Sequence, residues 1–162
     1  MKRILIVTLV LGVVVGVSAI FFAATPPPQI MGISIGMNQS EVRARLQSTG
    51  RLEREARKRQ EVWAIKDDRI SHVLVGYDPE FRVRYVTALA RADGQRVRYE
   101  DVADLQGAQR EENQGNYKLT WQIAARSGHA EYLMIAHGHD PQFLDSYSVK
   151  KIDQEETDED DE

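Results

Sequence analysis

Apolar positions change rhythm along this chain, and each rhythm predicts a different element. From Ile4 to Ala24 there is no polar alternation at all: of 21 residues only Thr8, Gly12, Gly16 and Ser18 are not strongly apolar or Ala. A helix of that length rises ~30 Å, the hydrocarbon thickness of a bilayer. A lone segment in lipid can satisfy its own backbone only as a helix. Residues 1–24 therefore read as a single transmembrane signal-anchor. Lys2 and Arg3 ahead of it favour a cytoplasmic N-terminus and an extracytoplasmic remainder. Pro26, Pro27 and Pro28 stop the helix and make residues 25–29 a short, stiff linker.

Past the linker the pattern becomes mixed. Ile33-Ser34-Ile35 alternates like a short strand, and Asn38 followed three residues later by Glu41 is a capping-box pattern opening a helix. Val42 and Leu46 share one face of that helix, Arg43 and Arg45 point away, and Gly50 is a plausible stop. Strands are predicted at Val62–Ile65, Ser71–Tyr77 and Arg82–Ala90, the last with period-2 alternation. A second round follows: a short helix-like segment over Tyr99–Leu105, then strands at Tyr117–Ile123, Glu131–Ala136 and Leu144–Ile152, with Ser127-Gly128 as a hairpin turn. The two rounds match at Glu41-Val42 with Asp101-Val102, at Trp63 with Trp121, and at Asp78-Pro79-Glu80-Phe81 with Asp140-Pro141-Gln142-Phe143, at offsets of 60, 58 and 62. The predicted fold class is α+β: a transmembrane helix, then a helix-plus-antiparallel-sheet domain over residues 30–152. That domain divides into two candidate tandem repeats, 33–91 and 97–152, each one helix plus three strands.

Composition changes this picture at the ends. A net charge of -4 suggests a mildly acidic domain, yet residues 153–162 alone hold eight acids and no base. Without that tail and the basic flank of the anchor, 19 Lys and Arg face 17 Asp and Glu. The tail lacks apolar residues and repels itself, so it is expected to be disordered. Zero Cys excludes disulfides, zinc-thiolate sites, thiol catalysis and a lipid-modified N-terminal Cys.

One segment carries a family likeness. Ile35-Gly36-Met37-Asn38-Gln39-Ser40-Glu41-Val42, with Leu46 a turn later and then Trp63, resembles the opening of the BamE/SmpA/OmlA small outer-membrane proteins. Their fold, a helix layer on a three-stranded antiparallel sheet, is shared with β-lactamase inhibitory protein, itself a tandem duplication. The resemblance covers residues 33 to 90 and reaches 97 to 150 only through the repeat. It implies a non-catalytic envelope protein that works by binding other proteins. The family's lipidation Cys is missing, and a membrane helix stands in its place.

Candidate chemistry is sparse. Seven bases against two acids in residues 43–59 form a positive stretch. Arg43, Arg45, Arg51, Arg54, Arg57, Lys58 and Arg59, with Arg82 and Arg84 nearby on a strand, are the candidate binding patch for an acidic partner or anionic lipid. Arg96 and Arg98 extend it if their strands are neighbours. An extracytoplasmic location argues against nucleic acid. Gly12 and Gly16 form a G-x-x-x-G, a candidate homodimer contact within the bilayer. No nucleophile elbow, phosphate loop or H-E-x-x-H occurs. His137 and His139 are two apart on a strand, but two imidazoles with Asp140 make an incomplete metal set, better explained by the Asp-Pro turn. No catalytic residue, metal or cofactor is expected. The leading expectation is a membrane-anchored extracytoplasmic binding module with an envelope protein as partner. The alternatives are a secreted inhibitor or ligand-capturing domain cut after Ala19, and a metal-dependent hydrolase using His137 and His139.

Overall fold

The structure, a computed structural model, describes residues 28–56, 59–124 and 131–152. The anchor segment with Gly12 and Gly16, the Ser127-Gly128 turn, Arg57, Lys58 and the acidic tail lie outside the described residues. Among the described residues no helix is long and apolar enough to cross a membrane.

A two-stranded hairpin, β1 (Gln29–Ile30) and β2 (Ile33–Ser34), leads into α1 (Gln39–Leu46). A meander follows: β3 (Gly50–Ala56), β4 (Gln60–Ile65), β5 (Ile70–Tyr77) and β6 (Val83–Ala90). Then come β7 (Val97–Arg98), a single 3-10 turn at Tyr99–Asp101, β8 (Gln109–Asn113), β9 (Asn116–Ala124), β10 (Glu131–Gly138), β11 (Phe143–Leu144) and β12 (Ser146–Lys151). Eight of these strands form one antiparallel sheet in the order β3-β4-β5-β6-β12-β10-β9-β8. The order is symmetric about the β6/β12 pair, with four strands from each half of the chain.

The predicted α+β class with helix-plus-three-strand units is therefore incorrect. The described chain is mostly β, with one eight-residue α-helix, and each half gives four strands to a common sheet rather than three to its own. Two strands of that sheet, β3 and β8, were not predicted. Both are edges of the sheet, and β8 is exposed at every position. An edge strand outside the covered area needs no apolar alternation, and charges on it discourage pairing with another chain.

Register explains why one face is buried throughout. Partnered positions run Trp63, Val73, Ala88, Tyr147, Ala136, Leu119 across six strands, and beside them Glu61, Val75, Val86, Val149, Met134, Trp121. Partnered side chains in an antiparallel sheet share a face, so both rows form one continuous core layer. Val42 and Leu46 of α1 and Ile30 and Ile33 of the first hairpin are fully buried in that cluster. Over the second half, Val102 and Ala103 pack on the same core, and the Trp121 indole N–H donates to the Asp104 carbonyl at 2.7 Å. On the opposite face Leu74, Thr87, Ser148 and Ile135 are half-buried. Tyr85 belongs to that side rather than to the core, its ring lying across Gly76 where any Cβ would collide with it.

The helix begins where its capping box predicts. Asn38 Oδ1 accepts from the Glu41 N–H at 2.9 Å, and Glu41 Oε2 accepts from the Asn38 N–H at 3.2 Å. What holds it to the sheet is Glu61, 1% exposed in the core. Its carboxylate accepts from Gln39 Nε2 at 2.9 Å, Arg43 Nε at 2.7 Å, Trp63 Nε1 at 3.0 Å and the Tyr77 hydroxyl at 2.9 Å. A buried charge is tolerable only when paired and hydrogen-bonded on most of its lone pairs, and two of these donors come from α1. Glu61 holds Arg43 in its charged form, raising the guanidinium pKa against partial desolvation. Burial, followed by the bond to Glu61, pushes the Tyr77 phenol far up.

Candidate functional site

The ends of β4, β5, β6 and β12 meet at one margin of the sheet, and an open cleft of about 550 Å3 lies there. Arg59 enters from just before β4, Arg82 and Arg84 from the start of β6, and Lys151 from the end of β12. The antiparallel order dictates this meeting, because chain ends far apart in sequence terminate at the same edge of neighbouring strands. Backbone bonds set the positions: the Tyr77 N–H donates to the Arg59 carbonyl at 2.8 Å, and the Gly36 N–H to the Val83 carbonyl at 2.8 Å.

Among the described residues Asp78 is the one carboxylate lining the cleft. Its Oδ1 accepts from the Glu80 and Arg82 backbone N–H groups at 3.0 and 2.8 Å, which ties it to the Asp-Pro turn. Phe81 follows Pro79 and Glu80 with φ 58°, and its ring is 47% exposed. In the matching turn Phe143 is half-buried beneath Arg96, whose guanidinium carbon sits 3.9 Å from the ring centre. The two turns share the Asp-Pro-x-Phe pattern and the Asx bond to the residue two positions on, since Asp140 Oδ1 accepts from Gln142 as Asp78 Oδ1 does from Glu80; beyond it Asp140 bonds Phe143 and Asp78 bonds Arg82. Only the second pins its Phe.

A smaller hollow of about 430 Å3 adjoins the cleft, sharing Arg84 and Lys151 and adding Lys150. Sequence reasoning overlooked Lys150 and Lys151. Their signal was present, a basic pair at the end of the last strand directly before the acidic tail, but their proximity to Arg59 needs the sheet order.

Four other described members of the expected patch are not brought here. Arg43 is spent on Glu61 and Glu55, each at 2.6 Å. Arg45 donates to the Gly32 carbonyl at 2.8 Å, and Arg51 faces Glu53 at 3.7 Å. Arg54 is exposed on the edge strand β3. Arg57 and Lys58 lie outside the described residues. Arg96 and Arg98 do not extend the cleft, because β7 pairs with β11; they meet Asp140 at 3.0 Å and Glu100 at 2.9 Å.

His137 faces Lys118 and Ser146 across the sheet, whereas His139 lies beyond β10 with its Nδ1 2.6 Å from Asp145. Among the described residues no three His, Asp or Glu side chains gather as a metal-ligand set. The cleft can therefore attract and orient an anion, through guanidinium forks suited to carboxylate or phosphate oxygens. No family model matches this chain, and no curated protein or solved structure matches it either.

Proposed function

We propose that this protein is a non-catalytic binding module, tethered in the membrane by residues 4–24 and presented outside the cytoplasm, which holds an acidic surface of an envelope protein in its basic cleft. The observation that carries the reading is the convergence of Arg59, Arg82, Arg84 and Lys151 on one open cleft with a single carboxylate among its described lining residues. Cations gathered at this density repel one another, and a complementary polyanion relieves the repulsion while steering association. Phe81 beside them offers an exposed aromatic anchor of the kind that carries binding energy at the centre of an interface. The likeness of residues 35–42 to the opening of BamE-type proteins supports the same class of activity. The likeness covers residues 33 to 90, and the described sheet has eight strands where that family's layer has three.

A photoreactive residue in place of exposed Glu80, in the full chain within intact membranes, tests the reading. The expected product is a discrete adduct with an envelope protein that falls at least severalfold in an Arg59→Glu, Arg82→Glu background. An absent adduct, or one indifferent to the charge reversals, would refute it. Protease added on the extracytoplasmic side of the membrane should digest the domain if the tether has the stated topology.

A further inference from the structure

We propose that the acidic tail, residues 153–162, docks on the basic cleft of its own chain and competes there with the external anionic partner. The inference rests on the cleft being an anion-binding surface, but on no particular partner. Three observations carry it. Lys151, two residues before Asp153, itself lines both the cleft and the adjoining hollow, so the chain leaves the described domain at the site. The two hollows together present Arg59, Arg82, Lys150 and Lys151, and the one carboxylate among their described lining residues is Asp78, whose Oδ1 is held by backbone N–H groups. The tail supplies eight carboxylates and no cation.

Reach is sufficient. Ten residues span at most ~33–36 Å when extended, and the first acids, Asp153, Glu155 and Glu156, fall within a few residues of the cleft. Each exposed ion pair alone is weak, and salt screens it over a Debye length of ~8 Å at physiological ionic strength. Tethering changes the balance, because a short linker gives an effective concentration in the millimolar range. For an acidic peptide that binds the open cleft with a dissociation constant of about 0.1–0.3 mM, an occupied cleft lowers apparent affinity roughly four- to tenfold.

Two measurements on the protein in non-ionic detergent test this. First, a synthetic peptide of residues 153–162 is titrated into the full chain and into a chain ending at Ile152. The shortened chain should bind it several-fold more tightly, with affinity falling steeply with salt in both. Equal affinities, or no binding by the shortened chain, would overturn the proposal. Second, because the chain has no Cys, Thr157→Cys carries a single spin label. Amide signals from Asp78 to Arg84 should broaden, with the Asn113–Asn116 turn at the opposite end of the sheet as reference. The broadening should disappear at about 1 M salt, where the Debye length is ~3 Å, and in Arg59→Glu, Arg82→Glu. Broadening that survives both is mere tethering and counts against docking. A docked tail without any envelope adduct would leave this inference standing and strike only the proposed function.

Discussion

Replacing Glu61 by Leu removes the one buried charged residue among those described and tests whether α1 is held by it. Four donors converge on this carboxylate, from Gln39, Arg43, Trp63 and Tyr77. The consequences differ by site. Arg43 is 37% exposed and keeps Glu55 as a partner, so its charge can be solvated. Trp63 is 2% and Tyr77 6% exposed, so their donors lose their acceptor without gaining water. Leaving a buried donor unsatisfied costs about 1–3 kcal/mol, and breaking a buried ion pair from one side about 3–5 kcal/mol. Since Arg43 escapes in part, the expected loss for Glu61→Leu is about 3–5 kcal/mol in total, most of it at Trp63 and Tyr77. In a chain of this size that lowers Tm by about 6–20 °C. Glu61→Gln keeps the shape but turns an amide N–H toward the donors, and should lose about 1.5–3 kcal/mol. The exposed partner Glu55, removed as Glu55→Gln, should change stability by less than about 0.5 kcal/mol. Urea unfolding followed by tryptophan emission suits the comparison, because Trp63 reports directly. The Glu61→Leu effect should also shrink when Tyr77→Phe is already present, since one stranded donor is gone. A loss below about 1 kcal/mol for Glu61→Leu, or equal losses at Glu61 and Glu55, would refute the assignment of α1's attachment to this group.

Other outcomes follow from the same structure. Gly76→Ala drives a methyl into the Tyr85 ring and should destabilise by about 1–3 kcal/mol; the companion Tyr85→Ala should make the added methyl tolerable, as a double-mutant cycle would record. Leu46→Ala empties a fully buried position and should cost about 2–5 kcal/mol in chemical denaturation, whereas Leu105→Ala, at 47% exposure, should be nearly silent. Stability should fall in acid. Backbone N–H groups of Arg69 and Ile70 depress the Asp67 pKa, and the Gln142 N–H, then Arg96, depress that of Asp140. A folded value below the unfolded one, about 3.9, gives stability that is complete above the unfolded pKa and lost as pH falls through the folded one. Asp67→Ala should flatten that decline in Tm below about pH 4; an unchanged slope would contradict it. Finally, chain recovered from membranes should begin at Met1 or Lys2, and a start at Ile20 would favour the secreted alternative.

Elements were legible in the residues wherever local rules govern them. The capping box placed the start of α1 at Asn38, alternation placed β6 and β9 within a residue or two, and the apolar run Ser71–Tyr77 placed β5 as closely. Alternation could not reveal β3 and β8, because an edge strand is defined by its neighbour on one side and not by its own apolar content. The candidate site was partly legible in the same sense. Its charges could be counted, but Arg43 and Arg59 lie in one basic run and separate entirely, one on Glu61 and the other in the cleft.

Local sequence therefore decided where the backbone extends, where the helix is capped, where Asp-Pro turns fall, and that the charge of the chain is split between a near-neutral domain and a polyanionic tail. Those properties depend on a few consecutive residues and on short-range hydrogen bonding. The tertiary structure alone decided that two halves merge into one eight-stranded sheet about β6 and β12, and that Arg59, Arg82, Arg84 and Lys151 line one cleft. Strand order pairs residues more than sixty positions apart, and no local pattern encodes which edge of a strand meets which.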